Sequence, residues 1–277
     1  MDVYAVIGAP IHHSLSPKMH NHQFQNLRLD AVYVPFLVQP EDLSKAVEGM
    51  RALNIKGFNV TIPHKEAIFP LLDQIELAAE VIGAVNTVIC KEKKWIGINT
   101  DCSGFIASLK DENVQIKNKK ILVLGAGGAA RAVVYGLCIE QANKICIANR
   151  SLPRAQMLAN DFLKYGEVCT CTLQDALKEA KKYDMIVNTT PVGMYPNVET
   201  SPLLYAEFDS ACVVVDIIYT PEKTMFLKQA EQFGCQTING LGMFVHQGAI
   251  AFQRWTGQAP DITKMKSIVK KSLEGTK

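Results

Sequence analysis

Lys65 follows Thr61-Ile62-Pro63-His64, and Asp101 closes Gly97-Ile98-Asn99-Thr100-Asp101. Both fall at the carboxyl ends of predicted strands, where open α/β sheets bind their ligands. A lysine beside an aspartate can exchange a proton with a substrate hydroxyl while the carboxylate fixes its position. A helix predicted over 64–72 would disfavour the protonated lysine at its N-terminus, and Asp101 would favour it. The two effects would balance to bring the lysine into a working range. Taken one at a time, the two residues also read as a surface lysine and a helix-capping aspartate.

A second chemical stretch is Lys120-Ile121-Leu122-Val123-Leu124-Gly125-Ala126-Gly127-Gly128-Ala129-Ala130-Arg131. Four consecutive apolar residues predict a strand buried on both faces. A glycine cluster follows, and 129–137 reads as a helix. Strand, glycine turn and helix in that order form the phosphate-binding corner of a dinucleotide fold. Gly125 permits the tight turn, and Gly127 lets backbone N–H groups approach a pyrophosphate. The helix N-terminus turns its partial positive charge to the phosphates. A plain strand–helix connection is the alternative. About 24 residues after Gly125 the chain reads Asn149-Arg150-Ser151, with Arg154 one turn on. An NAD-binding fold places an acid near here to hold the ribose 2′-hydroxyl. The neutral and positive donors present instead suit a 2′-phosphate, which arginine can bind through two oxygens. A solvated basic helix start is the alternative.

Other polar residues are candidates beside ordinary roles. Ser14 and Ser16 can hydrogen-bond a polyol or a carboxylate, and Ser16 can equally cap the helix that Pro17 opens. Asn86 follows Gly83-Ala84-Val85, and Gln247 shares a helix face with Met243. The run Asn188-Thr189-Thr190-Pro191-Val192-Gly193-Met194 leaves a strand at the cofactor edge, to touch a nicotinamide or simply to turn.

Positioning these residues takes regular alternation. Strands are predicted at 4–7, 31–37 and 57–62, and helices at 18–27, 41–53 and 64–72. Paired strands follow at 85–90 and 95–98 around a turn at 91–94, and a helix at 102–110 leads to the glycine strand. The second half predicts strands at 145–148, 185–188, 212–218 and 236–238. Its helices are at 153–165, 173–181, 222–233, 244–255 and 263–273. Alternation of this kind predicts an α/β protein with parallel sheets and right-handed crossovers. Two domains are expected. An N-terminal α/β substrate domain with a mostly parallel sheet spans 1–101 and is completed by helices of 237–277. A Rossmann-like dinucleotide-binding domain spans 102–236.

The 277 residues are 48% hydrophobic with a net charge of +2, which argues against nucleic acid or an anionic membrane as main partner. No apolar run approaches the roughly 20 residues of a membrane span. The N-terminus opens on a strand-like run without a signal-peptide pattern. The eight cysteines form no Cys-x-x-Cys pair and read as reduced thiols of a cytoplasmic protein. Histidines 12, 13, 20, 22 and 64 lack cysteine partners at ligand spacing, so no metal is expected.

Taken together, eight segments resemble the shikimate dehydrogenase family over nearly the whole chain. They are Ser14-Leu15-Ser16-Pro17, Asn59-Val60-Thr61-Ile62-Pro63-His64-Lys65, Gly83-Ala84-Val85-Asn86-Thr87, Asn99-Thr100-Asp101, Gly125-Ala126-Gly127-Gly128-Ala129, Asn149-Arg150-Ser151, the run from Asn188 to Met194, and Asn239-Gly240-Leu241-Gly242-Met243 with Gln247. The resemblance implies reversible reduction of 3-dehydroshikimate to shikimate by NADPH, in aromatic amino-acid biosynthesis. It implies that Lys65 and Asp101 are the catalytic pair. Ser14, Ser16, Thr61, Asn86, Tyr219 and Gln247 would hold the substrate. Gly125, Ala126, Gly127, Gly128, Ala129, Asn149, Arg150, Ser151, Arg154, Thr190, Ile217 and Gly240 would line NADP. Neither nucleic acid nor membrane is expected as a partner, and the chain is expected to be a monomer or a homodimer. Two departures are visible: His12 stands where the family often has serine, and Cys102 where glycine often follows the aspartate. A quinate/shikimate dehydrogenase that accepts NAD is the enzymatic rival. The serine pair and the missing acid near Asn149 argue against it. A non-catalytic ligand sensor on the same scaffold could lose Lys65 or Asp101, and both are present. A tetrahydrofolate dehydrogenase shares the outline, but the Ser-Leu-Ser-Pro start fits it poorly.

Overall fold

The structure is a computed structural model that describes residues 1–274. It divides into two compact units, residues 1–104 with the chain from 245, and residues 105–244. The sequence put the divisions after 101 and after 236. They fall three and eight residues later, inside two continuous helices that carry no break in their pattern.

The first unit opens with β1 (Asp2–Gly8), α1 (Ser16–Asn26), β2 (Ala31–Leu37), α2 (Leu43–Ala52) and β3 (Gly57–Val60). β4 (Gln74–Ile75), α3 (Leu77–Ile82), β5 (Thr87–Lys91) and β6 (Lys94–Ile98) follow. The sheet order is β2-β1-β3-β5-β6-β4. Three of its five pairings are parallel, and β5 runs against both neighbours. β3 is buried along its whole length, which fits its place in the middle of the sheet. β5 and β6 form the expected hairpin. Glu92 and Lys93 occupy its two-residue turn with φ of 52° and 63°, the left-handed pair that matches the strand twist.

The helix predicted over 64–72 is absent. One helical bond forms, from the Ile68 N–H to the His64 carbonyl at 3.0 Å, and the segment then tightens into a 3₁₀ turn at Phe69–Leu71. Pro70 lacks an N–H, and its ring would clash with the carbonyl four residues back. Lys65 therefore has no helix N-terminus behind it. The short elements β4 and α3 escaped the sequence reading, since neither is long enough to show a period.

α4 (Asp101–Asp111) leads into β7 (Lys120–Leu124), α5 (Gly128–Ile139), β8 (Lys144–Ala148), α6 (Leu152–Phe162) and β9 (Val168–Cys171). Then come α7 (Leu173–Lys178), β10 (Met185–Asn188), β11 (Val213–Asp216), α8 (Met225–Gln232) and β12 (Gln236–Ile238). The second sheet has the order β12-β11-β10-β7-β8-β9 with every pairing parallel. Leu124 stands in register with Ala148 on one side and Asn188 on the other, and Asn188 with Asp216. The turns after four strands therefore leave one edge side by side. Strand order reverses at β7, the point where such sheets bind ligands.

α9 (Leu241–Thr256) and α10 (Ile262–Glu274) end the described chain. From 245 they belong to the first unit. Phe252 and Trp255 pack among Tyr4, Phe24 and Tyr33, and the Trp255 indole donates to the Val88 carbonyl at 3.0 Å. The last three residues of the expected 237–277 segment lie outside the described residues. Among the described residues no helix is long and apolar enough to cross a membrane, and no cluster of His, Cys, Asp and Glu is arranged to hold a metal ion. All eight cysteines are free; Cys138, Cys146, Cys212 and Cys235 are buried and the other four half-buried.

Candidate active site

In the first unit the Lys65 ammonium donates to Asp101 Oδ2 at 2.6 Å. Their side chains are 16% and 6% exposed, so the pair sits largely out of water. The backbone secures the lysine: its carbonyl accepts from the Val85 N–H at 2.8 Å. Asp101 is the first residue of α4, yet it does not cap the helix. Asn99 does so, its Oδ1 accepting from the N–H groups of Asp101 and Cys102 at 3.0 and 3.2 Å. The Asp101 carboxylate is left to take Lys65 on one oxygen and the Asn86 amide on the other, at 2.7 Å. Asn86 also donates to Thr100 Oγ1 at 2.9 Å, and its Oδ1 accepts from the Thr100 N–H at 2.8 Å. Gln247 Oε1 lies 3.5 Å from the same Asn86 nitrogen. Gly104 makes this approach possible, because a Cβ there would stand 2.7 Å from the Gln247 backbone nitrogen. Lys65, Asp101, Asn86 and Gln247 thus form one polar group built from four separate stretches of chain.

Behind it runs a buried relay of residues that the sequence reading did not single out. The Tyr33 hydroxyl donates to Asn59 Oδ1 at 2.6 Å. Asn59 donates to Thr87 Oγ1 at 2.9 Å, and Thr87 donates to Asn86 Oδ1 at 3.1 Å. Burial pushes the Tyr33 hydroxyl well above its usual pKa, so it stays a donor. The signal available was Asn59, a polar residue on a strand between Phe58 and Val60, where an unpaired amide would be costly. Ser16 does not cap α1. The cap position is Leu15, and no side-chain hydrogen bond caps the helix there. The Ser14 hydroxyl accepts from the Ser16 N–H at 3.3 Å, which keeps the two serines together. Half-buried Thr61 accepts on its carbonyl from the His64 N–H at 2.9 Å, four residues before Lys65.

The second unit holds the glycine corner. The Gly125 N–H donates to the Ala148 carbonyl at 2.8 Å, and Gly125 has φ of +113°, a conformation that favours glycine. A Cβ there would also stand 2.5 Å from Thr189 Oγ1. Gly127 caps α5 in an extended conformation, with nothing within 4 Å of where its Cβ would be. Gly128 and Ala129 open the helix, Ala126 precedes it, and no side chain caps its first turn. The Asn149 amide donates to the Ser151 carbonyl at 3.0 Å, and Ser151 occupies the cap position of α6. Arg150 and Arg154 are exposed, and no ion pair holds either among the described residues. Arg131 is engaged elsewhere, paired with Asp161 at 2.8 Å and lying over the Phe162 ring. A neutral residue at 149 beside two uncommitted guanidiniums suits a dinucleotide with an extra phosphate on its ribose.

Thr190 donates through both N–H and hydroxyl to Asn188 Oδ1, at 3.0 and 2.7 Å. The Ile217 N–H donates to the Asn188 carbonyl at 3.1 Å. Gly240 is required where it stands, because a Cβ would collide with the Ile217 carbonyl. Tyr219 stacks on Phe244 with ring centroids 4.5 Å apart. It lies in the second unit, whereas the other seven residues of the catalytic and substrate sets lie in the first.

Three family patterns match in chain order. They are a shikimate dehydrogenase substrate binding domain over residues 6–88, a shikimate/quinate 5-dehydrogenase domain over 107–218 and a shikimate 5′-dehydrogenase C-terminal domain over 240–270. The NADP(+) shikimate dehydrogenase of Geobacillus sp. (strain WCH70) is 47% identical over 274 residues, 99% of each chain. A crystal structure of a shikimate dehydrogenase in complex with NADP+ superposes with a TM-score of 0.92 at 42% identity, covering 99% of this chain and 96% of that one. The Thermus thermophilus shikimate 5-dehydrogenase, in complex with NADP(H) and shikimate, gives 0.90 at 36% identity over 99% of this chain and 100% of that one. With relatives this similar along its whole length, the chain belongs to the shikimate dehydrogenase family.

Proposed function

We propose that this protein catalyses the reversible NADPH-dependent reduction of 3-dehydroshikimate to shikimate. The observation that carries the reading is the 2.6 Å contact between Lys65 and Asp101, with Asn86 holding the second carboxylate oxygen. The ammonium is tied to a carboxylate that Asn86 fixes in turn, in a largely water-excluded setting, and a positioned proton donor gains most from such fixity. The family resemblance and the NADP-linked relatives supply the substrate and the cofactor.

In reduction, a proton must reach the carbonyl oxygen as it becomes a hydroxyl. Lys65 is the donor, and in the reverse direction it takes the proton back. Asp101 stabilises the ammonium and orients it, and accepts from a substrate hydroxyl. Asn86 fixes the carboxylate. Ser14, Ser16, Thr61 and Gln247 hold the carboxylate and ring hydroxyls of the substrate, and Tyr219 is a substrate residue by the family resemblance alone. Gly125 to Ala129 receive the pyrophosphate, and Asn149, Arg150, Ser151 and Arg154 the 2′-phosphate. Thr190, Ile217 and Gly240 line the nicotinamide side. NADPH, when bound, supplies the hydride. The reading places the enzyme in the cytoplasm.

The test is turnover of shikimate and of quinate, each with NADP and with NAD. Oxidation of shikimate with NADP at the highest kcat/KM is the expected result. A preference for quinate or for NAD would overturn the assignment.

A further inference from the structure

Asp216, the last residue of β11, has no part in the reaction just described. Its side chain is fully buried. Its Oδ1 accepts from the Asn188 amide at 3.1 Å and from the Ile218 N–H at 3.0 Å. Its Oδ2 accepts from the Thr224 hydroxyl at 2.8 Å. Thr224 in turn caps α8, accepting from the Leu227 N–H at 3.3 Å. Asn188, at the end of the neighbouring strand, spends its Oδ1 on Thr190 and its carbonyl on the Ile217 N–H. One carboxylate therefore ties together the turn that carries Thr190, the segment Ile217–Ile218 and the start of α8.

We propose that Asp216 is a positioning residue for the cofactor: it acts through Asn188 and Ile218 to hold Thr190 and Ile217 in the arrangement that receives the nicotinamide end of NADP. Burial raises its carboxyl pKa to about 6, against the three hydrogen bonds that favour the charged form. A buried carboxylate is costly unless its partners are all in place. An ordinary apolar residue at this position would leave Asn188, Ile218 and Thr224 each with an unpaired donor. The carboxylate instead reinforces the link between the two turns that the Ile217 N–H makes to the Asn188 carbonyl. This inference rests on the NADP reading above, since Thr190 and Ile217 are cofactor residues only under it.

The test compares wild type, Asp216→Asn and Asp216→Ala. The amide keeps an acceptor for Asn188 and Ile218 but turns an NH2 donor toward Thr224, whose hydroxyl proton loses its acceptor; alanine loses all three partners. Dissociation constants for NADPH are measured directly by nucleotide fluorescence, alongside the Michaelis constant for shikimate and the melting temperature. The expected outcome is graded. NADPH binding weakens about three- to ten-fold in the Asn variant and about thirty-fold in the Ala variant, while the shikimate constant stays within two-fold. A purely structural role would move both constants together or lower the melting temperature alone. Either of those results, or unchanged NADPH binding in a folded Asn variant, overturns the proposal. Should the Ala variant not fold, the Asn variant decides by the same criterion. Wild type that binds NADPH yet fails to turn over shikimate would refute the functional reading and leave the binding comparison standing.

Discussion

Lys65→Ala puts the proposed chemistry to its most direct test. The substitution removes the ammonium from Asp101 Oδ2 while the Asn86 amide still holds Oδ1. Loss of a positioned general acid costs about 10²- to 10⁴-fold in kcat, or about 2.7–5.4 kcal/mol at 1.36 kcal/mol per tenfold. The fold loses less. Breaking a buried pair costs about 3–5 kcal/mol when the remaining charge is abandoned. Here the carboxylate keeps one strong donor and the lysine is 16% exposed, so about 1.5–3 kcal/mol is expected, one hydrogen bond to a charged group. NADPH oxidation is followed by absorbance well below the melting transition, with NADPH affinity measured separately and expected to stay at the wild-type value. Asp101→Asn and the double variant complete the series. If the two side chains act as a unit, the double variant is no slower than the slower single. Near wild-type kcat in Lys65→Ala, or strictly multiplicative losses in the double variant, would refute the reasoning.

Arg150→Ala should weaken NADP binding about ten- to a hundred-fold, the loss of one charged hydrogen bond, while NAD binding changes far less; equilibrium titrations at fixed ionic strength check this, since exposed charges are screened by salt. Ser14→Ala and Gln247→Ala should each raise the Michaelis constant for shikimate about two- to twelve-fold, from about 0.5–1.5 kcal/mol per lost neutral hydrogen bond, with the NADP constant unmoved. His20→Phe should make the protein more resistant to acid. Burial drives the His20 pKa from 6.5 down to about 3, and both ring nitrogens are buried without a hydrogen-bond partner. The unfolded chain therefore binds a proton that the native state refuses between pH 6.5 and 3, and stability falls as pH falls through that window, by up to about 1.4 kcal/mol per pH unit. Phenylalanine keeps the stacking on Tyr33 and Phe252 and removes that proton. Denaturant melts at pH 8 and pH 5 should show the variant gaining on wild type at the lower pH, and equal shifts at both would contradict the account.

The alternation of strand and helix was legible because long elements carry their own period. β7, β8, α5, α6 and α9 all stand within a few residues of where apolar spacing and glycine placed them. The failures have local causes. The stretch after Lys65 has the apolar spacing of a helix, with Ile68 and Leu72 one turn apart, but Pro70 removes the bond needed to continue it. β9 pairs only with β8, and its half-buried Cys-Thr-Cys pattern resembles a loop as much as an edge strand. Ser16 looked like a cap by type and by the proline after it. The helix instead begins at Ser16 itself, which puts Leu15 at the cap position.

The polar residues that organise both units were harder to read, and for a common reason. Asn59, Asn188 and Asp216 sit at or near strand ends, and they are 7%, 0% and 0% exposed. Asparagine and aspartate at the end of an apolar run are also ordinary turn formers, so type and position alone cannot tell a turn from a buried anchor. What separates the two is a partner on a neighbouring strand. Asn188 and Asp216 are 28 residues apart in sequence, yet parallel pairing puts them directly opposite. Asn59 meets Thr87 across the antiparallel β3–β5 pair. Sheet order creates these contacts, and neither local propensity nor spacing encodes it. Lys65 and Asp101 stood out as charged side chains at strand ends, but each alone read as a surface lysine or a helix cap, and the family resemblance supplied their role as a pair. Asn86 was already a candidate by its position, but its grip on Asp101, like the buried partners of Asn59 and Asn188, became visible only once the strands were paired.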